Sequence, residues 1–534
     1  MDNRRVLLAV ALSLGVLVFW NIIFPPVQPV QQSVPPVVSE TPQKLETLPA
    51  TSMELGRIQK ETASAYQPGR KIQVETPLYT AIFAENGGVL QSFFLKKYKE
   101  TVKAGSPDIN LVPTSASNKA PFGLIWNTDQ TWRSGQWTSS GQNIQIQAGE
   151  KASLDFAATI GNLTLRRHLV FNGDDYGIKE DVQLTNSSPN SMRGLLSFSL
   201  ATAGLSAPDD AYNRMHIAYM GKGGRQEEED IDDLALGFPE KPETVSWAGA
   251  GNNYFLVALL PQTQMFARTK YEDNAYRITV GREILLEAGQ HNQLQLSYYL
   301  GPKVKQELAK MPNNLTGAIR YGWFDIIAKP LIQFLHFLYG YTQDYGLAII
   351  LLTICIKILF WPLSQKSYKS MEQMKKIQPM MSQIREKYKD DREKMNAEMM
   401  HLYKTYKINP AGGCLPMLLQ IPVFIALYQA LLGAIELRHA SFIAHIPFTD
   451  IAWLTDLSAK DPYYITPIIM GATMFLQQKM SPAPGDPTQA KIMMFLPLIF
   501  TFIFLNFPSG LVVYWLVNNI LSIFQQWLLT RKNA

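Results

Sequence analysis

Cysteine is nearly absent from this 534-residue sequence: there are two, Cys355 and Cys414, and both lie in its apolar second half. The first half therefore has no disulfide staple, whatever compartment it folds in. No G-x-x-x-x-G-K-[ST] occurs, which leaves no phosphate cradle for a nucleotide-driven process. No H-E-x-x-H, nucleophile elbow or paired carboxylates commit the chain to a reaction, so neither an enzyme nor a cofactor is expected. Strong charge is lacking too. A formal net charge of +5 is too mild to suggest specific nucleic-acid recognition.

What is present divides the chain. Mean hydropathy is close to neutral, but residues 25–320 are mixed and mostly polar while 320–534 are dense in Leu, Ile, Phe, Met and Trp. At the start, Arg4 and Arg5 precede 19 uncharged residues from Val6 to Phe24, about enough to cross a bilayer. A cleaved signal peptide would need small residues before the cut, yet this segment ends in Trp20, Asn21, Ile22, Ile23 and Phe24. The expectation is an uncleaved transmembrane anchor over 1–24, with the arginines on the cytoplasmic side. Residues 25–69 are rich in Pro, Gln, Ser and Thr and read as an extended linker.

From about residue 70 the period becomes two. "KIQVETPLYTAIF", "VLQSFFL", "LTLRRHLVF", "IKEDVQLTN" and "QLQLSYYLG" alternate, with turn residues between such runs. The pattern predicts an antiparallel β-sandwich over 70–317. The acidic run at 227–233 lacks metal-ligand spacing and reads as a solvated loop.

Residues 318–342 put Trp323, Ile326, Ile327, Leu331, Phe334, Leu335 and Leu338 largely on one face, opposite Asp325 and Lys329, as in an amphipathic helix at a membrane interface. Five further membrane segments are expected, at 346–361, 415–435, 464–476, 492–507 and 511–529. With the anchor they make six transmembrane α-helices, the last five forming a core over 343–529. Between Ser364 and Pro410 there are eleven Lys or Arg residues; between Glu436 and Lys460 there are two. The positive-inside rule then places both termini and 364–410 in the cytoplasm and the β domain outside. Within 364–410, Ile377, Met381, Ile384 and Tyr388, then Met395, Met399, Leu402 and Tyr406, repeat one spacing, which predicts a cytoplasmic helical hairpin. Seven methionines in that span either make an adaptable binding face or simply pack the seam. Its basic residues could touch ribosomal RNA or lipid heads, but chiefly set topology.

Lys357 stands inside the 346–361 segment, one turn after Thr353. A lysine there can snorkel toward the cytoplasmic end. Other membrane segments are polar as well. Gln420 and Gln429 occupy one, and Tyr514, Asn518, Ser522 and Gln525 form a stripe along another. Thr473, Gln477, Gln478 and Thr501 add to this set. Single polar residues commonly bond helix to helix; a stripe facing a lysine is better explained by a wet cavity inside the bundle.

"NPAGGCLPMLLQIPVFIALYQAL", "DPYYITPIIMGATMFLQQKMSP" and "FPSGLVVYWLVNN", with the basic hairpin before them, resemble the signatures of the YidC/Oxa/Alb family of bacterial membrane protein insertases. The anchor and β domain resemble its Gram-negative form. The resemblance implies an insertase and chaperone of the inner membrane whose five-helix core lines a groove open to cytoplasm and lipid. Lys357 matches the position of the family's basic groove residue, commonly arginine, and Trp515 stands where tyrosine is frequent. Thr353, Gln420, Gln429, Tyr514, Asn518 and Ser522 complete the implied groove, and Met381, Met395 and Met399 mark the hairpin. The implied partners are nascent membrane proteins, the phospholipid bilayer, the Sec translocon and the ribosome, the last only weakly, because the tail after Trp527 is brief. Two rivals are a secondary transporter, which ordinarily shows repeated halves that this chain lacks, and a structural assembly factor, which overlaps with a chaperone role.

Overall fold

The alternating runs of the first half become strands, and their burial follows the alternation. In Leu163–Asn172 the residues facing inward are Leu163, Leu165, Arg167, Leu169 and Phe171. A computed structural model describes residues 66–532 except 67, 114–120, 207–209, 211, 230, 273, 407, 409–414 and 481–486. The expected anchor at 1–24 and nearly all of the linker at 25–69 lie outside the described residues.

Fourteen described strands form one sheet that runs from Asp129–Gln130 at one edge to Gln136–Ser139 at the other. A hairpin of His216–Gly221 and Gly224–Glu228 hangs from the strand Phe238–Gly251. Five strands make a smaller sheet, in the order Asp108–Asn110, Val89–Lys99, Tyr79–Ala84, Lys71–Glu75 and Ile144–Gln145. The two sheets share one core, where Phe83 meets Phe122 and Phe171 edge-on at 5.7 Å each. The β-rich domain differs from a simple antiparallel sandwich in the size of its main sheet and in one parallel pair, Lys71–Glu75 beside Ile144–Gln145.

Arg167 breaks the apolar rule of that core and is fully buried. Its Nε donates to Glu180 Oε1 at 2.5 Å, and one terminal nitrogen donates to the carbonyl oxygen of Gly87, also at 2.5 Å. The Tyr298 hydroxyl donates to the other Glu180 oxygen. A buried charge is tolerable only with such partners.

Among the described residues seven helices longer than ten residues follow: α1 Asp325–Thr342, α2 Tyr345–Lys387, α3 Arg392–Thr405, α4 Leu415–Gly433, α5 Ile465–Met480, α6 Pro487–Phe504 and α7 Ser509–Lys532. Asp344 starts α2 by accepting the Leu347 amide at 2.9 Å, and buried Asp461 accepts the Thr466 amide at 2.7 Å at the start of α5. Gly471 lets α5 approach α6: a Cβ there would lie 2.0 Å from Thr501 Oγ1. By length and composition, Tyr345–Lys387 and Ser509–Leu529 can cross a bilayer, while Gln420–Gly433 and Met493–Phe504 are shorter apolar helices.

Three expectations are modified. The 346–361 segment and the first arm of the hairpin are one continuous 43-residue helix that passes through Pro362 and Pro379. The second arm, α3, packs back on it through Ile377, Met381 and Met399, with Met395 half-buried. Tyr406 is exposed, because α3 stops at Thr405; Tyr403 joins the seam instead, its hydroxyl 3.9 Å from Met381 Sδ. On α1 the expected single apolar face is divided. Ala328, Ile332 and Leu335 are buried against the other helices, while Trp323 and Ile326 just before and within it are exposed.

The β domain is seated on the segment that follows α4. Ile435 is buried in the β-domain core, and an Arg438 terminal nitrogen donates to the Glu100 carbonyl at 3.0 Å.

Candidate functional site

Lys357 sits on the face of α2 that meets α7 and is 8% exposed. Its Nζ donates to Ser522 Oγ at 2.6 Å, and Ser522 Oγ donates to the Asn518 carbonyl at 2.7 Å, one turn earlier on α7. Asn518 Oδ1 accepts from Gln420 Nε2 of α4 at 3.1 Å. Gln420 is also hydrogen-bonded to the Tyr514 hydroxyl. One polar chain thus crosses three helices: Lys357, Ser522, Asn518, Gln420 and Tyr514. Farther along α7, Gln525 donates to the Trp361 carbonyl at 3.4 Å and leaves its buried Oε1 without a partner.

The electrostatics are one-sided. Neither α2 before Glu372 nor any of α4, α5, α6 and α7 contains Asp or Glu. Among the described residues no carboxylate compensates the Lys357 ammonium, and Ser522 is its hydrogen-bond partner. An ammonium has three N–H groups, so Ser522 leaves donors over for water or for an arriving polar group.

Some expected members stand elsewhere. The Thr353 hydroxyl is buried and donates to the Ile349 carbonyl of its own helix at 2.6 Å, which turns it away from a neighbour. Trp515 packs in the apolar core, 4.5 Å from the Phe424 ring and 5.0 Å from Phe504. Gln429 is at the opposite end of α4 from Gln420, about 13 Å along the axis, where Gly322 abuts its amide. Met381 and Met399 pack the α2–α3 seam rather than offering a free face. Tyr368 was not singled out in the sequence, yet its hydroxyl shares Ser522 with Lys357. It follows Lys357 by eleven residues, three helical turns, and that spacing was the available signal.

Comparison with known proteins covers both halves. Residues 337–534 match the family model "60Kd inner membrane protein", and residues 71–334 match "YidC periplasmic domain". A relative from Maridesulfovibrio salexigens named membrane protein insertase YidC is 52% identical over 538 residues, covering 100% of this chain and 99% of its own. One of the same name from Oleidesulfovibrio alaskensis is 49% identical and fully covered on both sides. A solved structure of an active YidC insertase is 18% identical, covers 86% of this chain and 92% of its own, and aligns with a TM-score of 0.38.

Proposed function

The chain belongs to the YidC family of membrane protein insertases, and from that premise we propose that it guides nascent transmembrane segments into the inner membrane along the polar chain centred on Lys357. The coarse placement follows from the family: an integral inner-membrane protein with a periplasmic β-rich domain, acting on nascent membrane proteins within the bilayer. The relatives' name describes insertion rather than a bond-making or bond-breaking reaction.

A segment crossing unaided must carry its polar flank through about 30 Å of hydrocarbon. A hydrated recess reaching inward from the cytoplasm shortens the dry part of that path, and the client's own apolar helix then drives release into lipid. One observation carries this reading. Lys357 is a buried cation with a hydroxyl partner and, among the described residues, no compensating carboxylate, and α2 before Glu372, α4 and α7 carry no acidic residue. Such a charge is costly in a dry interior, so it fits a wet recess that receives acidic or polar client segments. In this reading six segments span the membrane, both termini and the α2–α3 pair are cytoplasmic, and no nucleotide is consumed. The protein works alone or beside the Sec translocon, with a weak ribosome contact. The recess is built by Lys357, Ser522, Asn518, Gln420 and Tyr514, with Thr353 and Trp515 packed behind them; Gln429 lies outside it, at the other end of α4.

A photo-crosslinker at position 518 or at position 429 tests the path. Stalled nascent chains are expected to crosslink at 518 and not at 429. Crosslinks confined to 429 would place the path at the other end of α4 and overturn this reading.

A further inference from the structure

The C-terminal end of α4 borders a second polar enclosure. A cavity of about 390 Å³ lies between the His216–Gly221/Gly224–Glu228 hairpin, Lys303, residues 318–323 and the last turn of α4. That volume falls within the range of about 300–1,000 Å³ of small-molecule sites. Its walls are strongly charged. Lys303 Nζ is 3.1 Å from His216 Nε2, which is 3.2 Å from Glu227 Oε1, and Arg225 pairs with Glu227. Arg320 and Glu229 complete the lining.

Two buried polar atoms on residues of this wall have no partner: Arg225 Nε, a donor on a side chain only 8% exposed, and Gln429 Oε1, an acceptor. Leaving buried polar atoms unpaired is costly. A ligand that presents one acceptor and one donor would satisfy both. Gly322 keeps the Gln429 amide beside the cavity: its φ is +64°, and a Cβ there would lie 2.4 Å from Gln429 Oε1. The rim is apolar, with Leu432 and the exposed Trp323 lining it and the exposed Ile326 one turn beyond Gly322.

A divalent cation is the simpler thought, since ligand atoms of His216, Glu227 and Glu229 lie within 4.8 Å of one another. Arg225 and the Lys303 amine already stand against those ligands, so a dication would meet one fixed positive charge and displace the proton of a second basic group. We propose instead that the cavity binds the phosphoethanolamine head of a bilayer phospholipid. The phosphate meets Arg225, Arg320 and Lys303, and the ammonium meets Gln429 Oε1 and Glu229. The apolar rim, which a free phosphate would not need, receives the start of the acyl chains. Burial pushes Lys303 down to about 7 and His216 down to about 3. A neutral His216 therefore leaves the anion to its basic neighbours, and a phosphate beside Lys303 favours the protonated amine.

The test uses the full-length protein in detergent, delipidated and titrated while thermal unfolding and binding heat are followed. The probes are dihexanoyl phosphatidylethanolamine, dihexanoyl phosphatidylglycerol, glycerophosphoethanolamine and inorganic phosphate. The ethanolamine lipid is expected to bind at least about tenfold more tightly than the other three. Arg320→Gln, at an exposed position, and Gln429→Leu are each expected to weaken it about tenfold. Equal binding of the glycerol lipid would overturn the zwitterion assignment, and equal binding of glycerophosphoethanolamine or phosphate would overturn the lipid assignment. Unchanged affinity in both variants would remove the site altogether.

Discussion

Neutralising Lys357 should slow insertion in proportion to the acidity of the client. Lys357 is 8% exposed, bonded to Ser522 and, among the described residues, without a carboxylate neighbour. For a partly buried pair an effective dielectric of about 20 applies, and a client carboxylate held about 8 Å away then gains ~2 kcal/mol. Lys357→Met removes that attraction, which corresponds to about a thirtyfold loss in rate or occupancy. Lys357→Glu turns it into repulsion of similar size, roughly a thousandfold for an acidic tail. Lys357→Arg keeps the charge and can still donate to Ser522 Oγ, so it is expected to be tolerated. Purified variants in proteoliposomes, given clients with acidic or neutral translocated tails and scored by protease protection, measure this directly. Equal slowing of both client types by Lys357→Met and Lys357→Glu would refute the electrostatic argument and reduce Lys357 to a packing element.

Three further outcomes are expected. Arg167→Leu strands the buried Glu180 carboxylate and should destabilise the β domain by about 3–5 kcal/mol, whereas Arg167→Met combined with Glu180→Leu should recover most of that loss in denaturant unfolding of the full chain. His216 is held neutral by burial, with its pKa lowered to about 3 from 6.5. The unfolded chain therefore takes up the proton first as pH falls. The stability tied to neutral His216 is complete above pH 6.5 and is lost toward pH 3, at up to about 1.4 kcal/mol per unit; thermal unfolding between pH 7 and 4.5 should be flatter in His216→Gln. Deleting residues 71–300 should preserve most insertion, since the polar chain is built from α2, α4 and α7. The same deletion should lower the melting temperature, because Ile435 and Arg438 lose their partners; complete inactivity of a folded truncation would contradict it.

The strands were legible because burial on one face imposes a period of two. The same rule aimed Arg167 inward, but nothing local announced Glu180 or the Gly87 carbonyl as its partners. On α7 the spacing of Tyr514, Asn518 and Ser522 identified a true face. On α4 it misled. Gln420 and Gln429 are nine residues apart, two and a half turns, and so project from opposite sides as well as opposite ends. Trp515 is about 100° around the helix from Tyr514 and belongs to the apolar side. The acidic run at 227–233 read as solvated, yet Glu227 and Glu229 line a cavity, since the hairpin bearing Glu227 folds over Lys303, some 75 residues later. Long-range closure of that kind leaves no periodic trace.

The unbroken course of α2 also has a mechanical meaning. From Lys357 to its end at Lys387 the rod extends about 45 Å, so a tilt of only 5° displaces the far tip by roughly 4 Å. Pro362 lies five residues beyond Lys357 and denies one backbone hydrogen bond there. With the α2–α3 pair in the cytoplasm, as proposed, whatever grips its far end works a crank whose pivot is beside Lys357.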